Sequence, residues 1–484
     1  MFDLSSILII AFNINMGAGL VQLLFYGQQD IYLTSNPKLT YFKKVYLTHT
    51  NFATESIRVD FNRSDATVNE PTTFKVKLPR HADLVAQIYL VLELPDIISD
   101  NIMNFRWIEN IGEAALLNYQ ISIGGNIIDK QDGEFLHVQN QLTINRDKKE
   151  LYDMMTGNII QNYNPEQYTL DFFNISRIPQ RYRIGAGYPS ANINSFILGQ
   201  EDNFRPSIPR RKIYIPLQFW FNKDIGNALP LVSLQYAEVE ISIEMRPITQ
   251  LYKLFYNTSG IQDYYSPSTF INAHQLKNFV TNIRQRFMLS DNVLNIDAHL
   301  EVNYVYLDSL ERKYFAYKPL EYLIEQTTRI ERISLEENNV IDFVLQNPCK
   351  EIIWFLRRND VKTRNKWFDF TDGFFNQPMK TAKIMFNGVD RFDEKPAEYF
   401  NWLQPYQHHS GVGKLGLYSY SFSLFPEQFQ PSGSVNMSRI NKIQFVLKAK
   451  KTIDTSYKYD VVFYVINYNI LRVMSGMASI AYSL

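Results

Sequence analysis

The stretch Glu238-Val239-Glu240-Ile241-Ser242-Ile243-Glu244-Met245 alternates polar and apolar residues without a break. A period of two puts Val239, Ile241, Ile243 and Met245 on one face of an extended chain, and leaves three glutamates and a serine on the other. A helix would scatter the four apolar side chains around its axis, so the segment reads as a strand with one buried face. The pattern extends outward from there. Phe74, Val76 and Leu78 alternate with Lys75 and Lys77; Tyr418, Tyr420, Phe422 and Leu424 alternate with Ser419, Ser421 and Ser423; Ile443, Phe445 and Leu447 repeat it. Short strands of this kind, separated by Gly, Pro, Asn and Asp turns, predict an all-β chain folded as a sandwich or jelly roll. Helical signals are few, at Gln161 to Leu170 and Asp308 to Ala316.

The pattern is also written twice. Ile121 to Asp129 reads as a strand, a tight Gly124-Gly125 turn and a returning strand; Ile384 to Phe392 reads the same way around Asn387-Gly388, which supplies a positive-φ turn. Each is followed by an aromatic strand and a proline-containing loop, Ile213 to Phe221 in the first case and Leu417 to Phe425 with Pro426 in the second. A long stretch rich in Asn, Tyr, Gly and Pro, about 147–210, separates these elements in the first half only and is expected to form elaborate loops. A duplicated β unit with one loop-expanded copy follows. The expected organisation is an arm over 1–26, a first unit over 27–247, a linker or insertion over 248–294, and a second unit over 295–484.

Bulk properties narrow the function. A chain of 484 residues, 45% of them hydrophobic, has enough apolar mass for two large cores. Its 49 basic and 49 acidic residues cancel, which argues against a nucleic-acid-coating role. The basic clusters at Arg210-Arg211-Lys212 and Lys448 to Lys451 read as solvated strand ends or loops. The single cysteine, Cys349, cannot form an intrachain disulfide and reads as a packing residue. The apolar run Leu4 to Phe12 is shorter than the roughly 20 residues of a bilayer span and lacks a basic flank.

Little points to catalysis. Gly411-Val412-Gly413-Lys414-Leu415-Gly416 matches G-x-G-x-x-G, but it precedes an alternating strand, whereas a dinucleotide site needs a helix there. His408-His409 has no second His or Cys cluster nearby, so a loop or interface role is expected. No catalytic, cofactor-binding or metal-binding set is expected, and no cofactor. Sequons stand at Asn62, Asn174, Asn257 and Asn436.

Several segments together resemble, in order, the major capsid proteins of nucleocytoplasmic large DNA viruses. They are Leu24-Phe25-Tyr26-Gly27-Gln28-Gln29-Asp30-Ile31-Tyr32-Leu33-Thr34, Asn36-Pro37, Thr50 to Glu55, the Gly124-Gly125 hairpin, Ile213 to Phe221, Tyr304 to Asp308 and Glu321 to Gln326. The resemblance continues through Gln404-Pro405-Tyr406-Gln407-His408-His409, Gln430 to Gly433 and Asn467 to Met477. It covers the chain from about residue 17 to its end. The positions it marks as structural signatures are Gly27, Asp30, Asn36, Pro37, Asn51 and Phe52; Gly124, Gly125, Asp129, Pro216 and Phe219; and Asn387, Gly388, Asp390, Pro405, Pro431, Ser432, Gly433, Asn469, Met474 and Gly476.

The resemblance implies a double jelly roll of two eight-stranded sandwiches. It implies a homotrimer of pseudo-hexagonal outline that tiles an icosahedral shell in the virion, assembled in the host cytoplasm. Its partners would be copies of itself, neighbouring capsomers, minor capsid proteins and inner-membrane proteins, with no direct nucleic acid. Two departures, Phe135-Leu136-His137-Val138 where relatives usually carry Trp and the extension over 1–15, leave a minor capsid or scaffold paralogue as an alternative. A carbohydrate-binding attachment protein, with Tyr163, Tyr168, Tyr182 and Tyr188 stacking on sugars, is a third.

Overall fold

A computed structural model describes residues 18–38, 46–63, 65–97, 103–163, 207–256, 265–280, 293–452 and 456–482. The first unit, up to Asn51, holds a short helix, Ala18–Leu24, and helical turns at Gln28–Asp30 and Ile31–Thr34. The Gly27 N–H donates to Asp30 Oδ2 at 2.8 Å, which ties the start of these turns. The first roll was expected to begin at residue 27. Its first strand instead begins at Phe52, because 28–34 close local i→i+3 and i→i+4 bonds rather than a ladder.

The second unit, Phe52–Leu484, carries two β-sandwiches. The strands of the first are β1 (Phe52–Asp60), β2 (Thr72–Lys77), β3 (Leu84–Leu94), β4 (Leu116–Ile123), β5 (Asn126–Gln131), β6 (Arg211–Pro216), β7 (Val239–Met245) and β8 (Ala298–Leu307). They form two antiparallel sheets, β1-β8-β3-β6 and β2-β7-β4-β5. The opening octapeptide is the heart of the second sheet: in β7, Ile241 sits opposite Val76 and Ile121, and Ile243 opposite Phe74 and Tyr119.

The second sandwich repeats the order. Its strands are β9 (Leu320–Arg332), β10 (Asn338–Phe343), β11 (Pro348–Arg358), β12 (Met379–Phe386), β13 (Val389–Asp390), β14 (Leu417–Ser421), β15 (Ile443–Ala449) and β16 (Tyr459–Met474). The sheets are β9-β16-β11-β14 and β10-β15-β12-β13. Both sandwiches thus have jelly-roll topology with identical strand order, so the duplication seen as two Gly-turn hairpins extends to the whole fold. Asn387 (φ 50°) and Gly388 (φ 83°) adopt the left-handed turn that joins β12 to β13.

Two boundaries differ from expectation. Residues 298–307 were assigned to the second unit, but β8 pairs with β1 from Phe52↔Leu307 to Asp60↔His299, and with β3 on its other side. It closes the first roll, and the segment expected as a linker lies inside that roll: Tyr252–Tyr256 pairs with Met103–Trp107, and Val293–Asn295 with Asp65–Thr67.

The stretch expected as loops from 147 begins with a helix. Helix α1 (Gly133–Thr143) is capped by Asp132, whose side chain accepts from the Phe135 N–H. Helix α2 (Arg146–Thr156) is capped by Asn145 and stopped by Gly157 at φ 81°. Of the helix expected at 161–170, Ile160–Tyr163 is helical and 164–170 lies outside the described residues. The one expected at Asp308 to Ala316 is found as α3 (Ser309–Tyr317), with Asp308 as its cap.

Candidate functional site

In sheet β9-β16-β11-β14 the inner strands β11 and β16 are buried on both faces over most of their length. On β16, Val461, Phe463 and Val465 enter the second roll's core, whereas Val462, Tyr464 and Ile466 pack with the first roll's core residues. On β11, Ile352, Trp354 and Leu356 point inward, and Ile353 and Phe355 point to the first roll. The facing element is α1: the rings of Phe135 and Tyr464 lie 5.2 Å apart, and His137 stacks on Phe368 at 4.0 Å. This seam joins the rolls into one body, and apolar burial is its main driving force.

Polar groups at the seam are paired. Arg329 binds Asp132 at 2.7 Å and Glu134 at 3.2 Å, and Arg357 also binds Glu134. Burial alone would keep a proton on Glu134, but Arg357 and Arg329 outweigh it and hold the carboxyl below its ordinary range. Tyr464 donates to Asp132 at 2.7 Å. His137 is paired through Nδ1 with Glu113 in the interior and stacks on Phe368, so the Phe135 to Val138 stretch is part of a seam helix whose imidazole is held by packing and one carboxylate.

At one mouth of the seam, Glu325 sits between Lys223 (2.9 Å) and Lys350. Burial opposes its charge, yet the two ammonium groups bring it down to about 2. His409 lies between Glu351 (2.6 Å) and Glu427 (3.3 Å). Burial disfavours the imidazolium, but the two carboxylates raise it to about 10. His409 is therefore a clamp that stays charged at neutral pH, while neighbouring His408 meets the Leu424 carbonyl at 3.1 Å. Among the described residues no group of three or more His, Cys, Asp or Glu is placed to hold a metal ion.

Gly411 explains the glycine-rich loop. Its N–H donates to the Leu142 carbonyl at 2.7 Å, and a Cβ there would meet the Gln141 and Leu142 carbonyls at 2.5 Å. The loop seats the second roll against the end of α1 and leads into strand β14.

Two equivalent faces are left largely open among the described residues, the first being covered at one end by Ala228 and Phe315. The outer face of β1-β8-β3-β6 is a polar ladder: Ser56 donates to Glu301 at 2.9 Å, and Asn303 donates to Gln87 at 3.2 Å. In the second roll, the segment between the fifth and sixth strands, which is the counterpart of α1, forms helical turns at Tyr399–Leu403 and Gln404–His408. It leaves Trp402 61% and Tyr406 86% exposed.

The signature positions fall mostly in turns and seams. Gly124 and Gly125 make the β4–β5 turn at φ 58° and 84°. Asp129 is buried beside Gln131, and burial pushes it up to about 7. Phe219 meets Tyr119 edge-on at 5.3 Å in the first core, and Pro216 ends β6. Asn36, at φ 53°, precedes Pro37, and Asn51 and Phe52 are exposed where β1 begins. Asp390 pairs with Lys383 at 3.0 Å, and Pro405 is buried in the helical turn. Ser432, between Pro431 and Gly433 (φ 143°), shares a 2.6 Å bond with Ser423. Asn469 is buried and donates to Gln326 and to the Tyr482 carbonyl, each at 2.7 Å. Met474 and Gly476 flank the turn from β16 into a last short strand, Met477–Ile480. Asn62 and Asn436 are exposed, whereas Asn174, Asn257, Tyr168, Tyr182 and Tyr188 lie outside the described residues, as do residues 1–17.

Comparison with known proteins matches residues 40–308 to the family described as major capsid protein N-terminus, and residues 311–479 to the large eukaryotic DNA virus major capsid protein. The split at 308–311 coincides with the end of β8. The major capsid protein of Phaeocystis pouchetii virus is 31% identical over 97% of this chain and 100% of its own. Probable capsid protein 4 of Acanthamoeba polyphaga mimivirus is 29% identical over 96% and 99%. Among solved structures, VP54 of PBCV-1, fitted into a reconstruction of the virophage Sputnik, superposes with a TM-score of 0.67 at 24% identity, over 92% of this chain and 100% of that one.

Proposed function

The chain belongs to the major capsid proteins of large eukaryotic DNA viruses and is a structural subunit of an icosahedral shell; from that premise we propose that it works as a homotrimeric capsomer and as the principal shell protein. The observation that carries the trimer is the pair of equivalent faces. Within the chain, the sheet of the second roll packs on the helix between the fifth and sixth strands of the first roll. Among the described residues, the equivalent sheet of the first roll keeps a polar outer face that is covered at one end by Ala228 and Phe315, and the equivalent segment of the second leaves Trp402 and Tyr406 outward. Repeating the same contact between chains pairs these two faces and closes a ring of six rolls from three subunits. Aromatic side chains of this kind are the usual anchors of such contacts.

Outside the ring, capsomers meet one another and minor capsid proteins through loops, and one end faces the inner viral membrane; assembly takes place in the host cytoplasm without direct contact to nucleic acid. Quantitative mass spectrometry of purified particles tests the principal role. This chain is expected to be the most abundant shell protein; a few copies per particle would make it a minor paralogue.

A further inference from the structure

Where the Met103–Trp107 and Tyr252–Tyr256 ladder of the first roll meets loops of the second, a cavity of about 380 Å³ is lined by four basic side chains, Arg106, Lys253, Lys366 and Lys414, against two acidic ones, Glu109 and Asp369. One of the acids is already engaged: Asp369 accepts from the Thr371 hydroxyl at 2.7 Å and pairs with Arg364 at 3.5 Å. Glu109 is exposed at the rim. Basic side chains thus outnumber acidic ones in the lining.

Two donors at this cavity are unmatched. Lys253 is only 7% exposed, and among the described residues its ammonium has no acceptor. It stands directly opposite Arg106 across the Tyr252–Tyr256 ladder, a like-charge pairing that works against the strand pair. The indole N–H of Trp107 is buried without a partner and lines the same space. Lys414 gives one N–H to the Phe368 carbonyl at 2.8 Å and has two to spare. Burial, reinforced by Arg106 and Lys366, lowers the Lys253 ammonium to about 7, the response of a buried cation that lacks its counterion. Buried donors and charges are ordinarily satisfied, so a cavity with an orphan ammonium, an orphan indole N–H and surplus positive charge is built for an anion.

We propose that this inter-roll cavity binds a phosphoryl dianion, with Lys253 as its central ligand, Trp107 as a neutral donor, and Lys414 and Lys366 closing the shell. A phosphate is anionic and offers enough acceptor oxygens for all of these donors. The aromatic walls from Trp367 and Phe368 leave room for an organic substituent.

The test is calorimetric titration of the soluble, assembled protein with inorganic phosphate at constant ionic strength, beside Lys253→Met, which keeps the volume and removes the charge. Saturable binding is expected for the natural chain, with at least a tenfold loss in K253M. In phosphate-free buffer K253M should melt at or above the natural chain, and it should no longer be stabilised by phosphate. Equal binding by both proteins, or no binding by the natural chain, overturns the proposal. So does a lower phosphate-free melting temperature in K253M, because it would mean that the lysine already has a partner. Vesicles containing phosphatidic acid separate the sources: co-sedimentation lost in K253M assigns a lipid headgroup, and phosphate binding without co-sedimentation assigns a free phosphate.

Discussion

Sheets β1-β8-β3-β6 and β9-β16-β11-β14 occupy the same place in two rolls of identical topology, yet one has a watery face and the other buries both faces of its inner strands over most of their length. On β8, Ala298, Leu300, Val302 and Tyr304 face the core, while Glu301 and Asn303 face outward into a polar ladder. On β16, eleven consecutive residues from Tyr459 to Asn469 are buried. The fold does not distinguish the two sheets; what covers them does. One sheet has its partner within the chain, and the other is the face that the proposed trimer would cover with a second copy.

The largest expected effects test whether both faces of the second sheet are packed. Trp354 and Phe355 are neighbours on β11 that point into different cores. Each change to Ala should lower the unfolding free energy by about 3–5 kcal/mol. Asn303→Ala on the equivalent outer face of the first roll should stay within about 0.5 kcal/mol. Denaturant midpoints of the three variants decide it, and a mild Phe355→Ala would remove the contrast.

Next comes the seam's charge cluster. Arg357→Met leaves Glu134 buried with Arg329 as its remaining close cation, and should cost about 3 kcal/mol. Adding Glu134→Gln should recover much of that loss, which a double-mutant cycle would read directly. Full additivity would mean that the two side chains do not interact.

A smaller effect is set by pH. The His409 imidazolium is held at about 10, above its ordinary 6.5, so its contribution is complete below 6.5 and disappears as pH climbs to about 10. The Glu325 carboxylate is held at about 2, below its ordinary 4.5, so its contribution is complete above 4.5 and disappears as pH falls to about 2. These two groups together favour greatest stability between pH 4.5 and 6.5. Melting temperatures across pH should show the alkaline decline, and His409→Gln should flatten it. A modest effect should come from Gly388→Ala, whose positive φ strains an L-residue in open space; about 1 kcal/mol is expected.

The same contrast explains what the sequence disclosed. Strands with one wet face, such as Val239–Met245, declare themselves by alternation. Strand β16 does not, because two cores ask for apolar residues on both faces; only Asp460, Asn467, Asn469 and Arg472 break the run. Helix α1 was missed for a related reason. Packed between rolls, it buries Phe135, Leu136, His137 and Val138 in succession, so no amphipathic stripe forms, and Asp132 before Gly133 was its only local signal. The boundary of the first roll was hidden because β8 lies far along the chain from the strands it joins. The seam's ion pairs were equally out of reach: Arg357 and Glu134 stand 223 residues apart, and no local spacing links them. The hairpin glycines were legible because turns are local, whereas the two expected aromatic strands are extended only over Arg211–Pro216 and Leu417–Ser421, and Trp220–Lys223 is a helical turn.

Light scattering on a sizing column tests the trimeric reading most directly. A soluble mass near three times 56.8 kDa is predicted, falling to a single chain when Trp402 and Tyr406 are both changed to polar residues. A natural chain that stays monomeric at high concentration would contradict it.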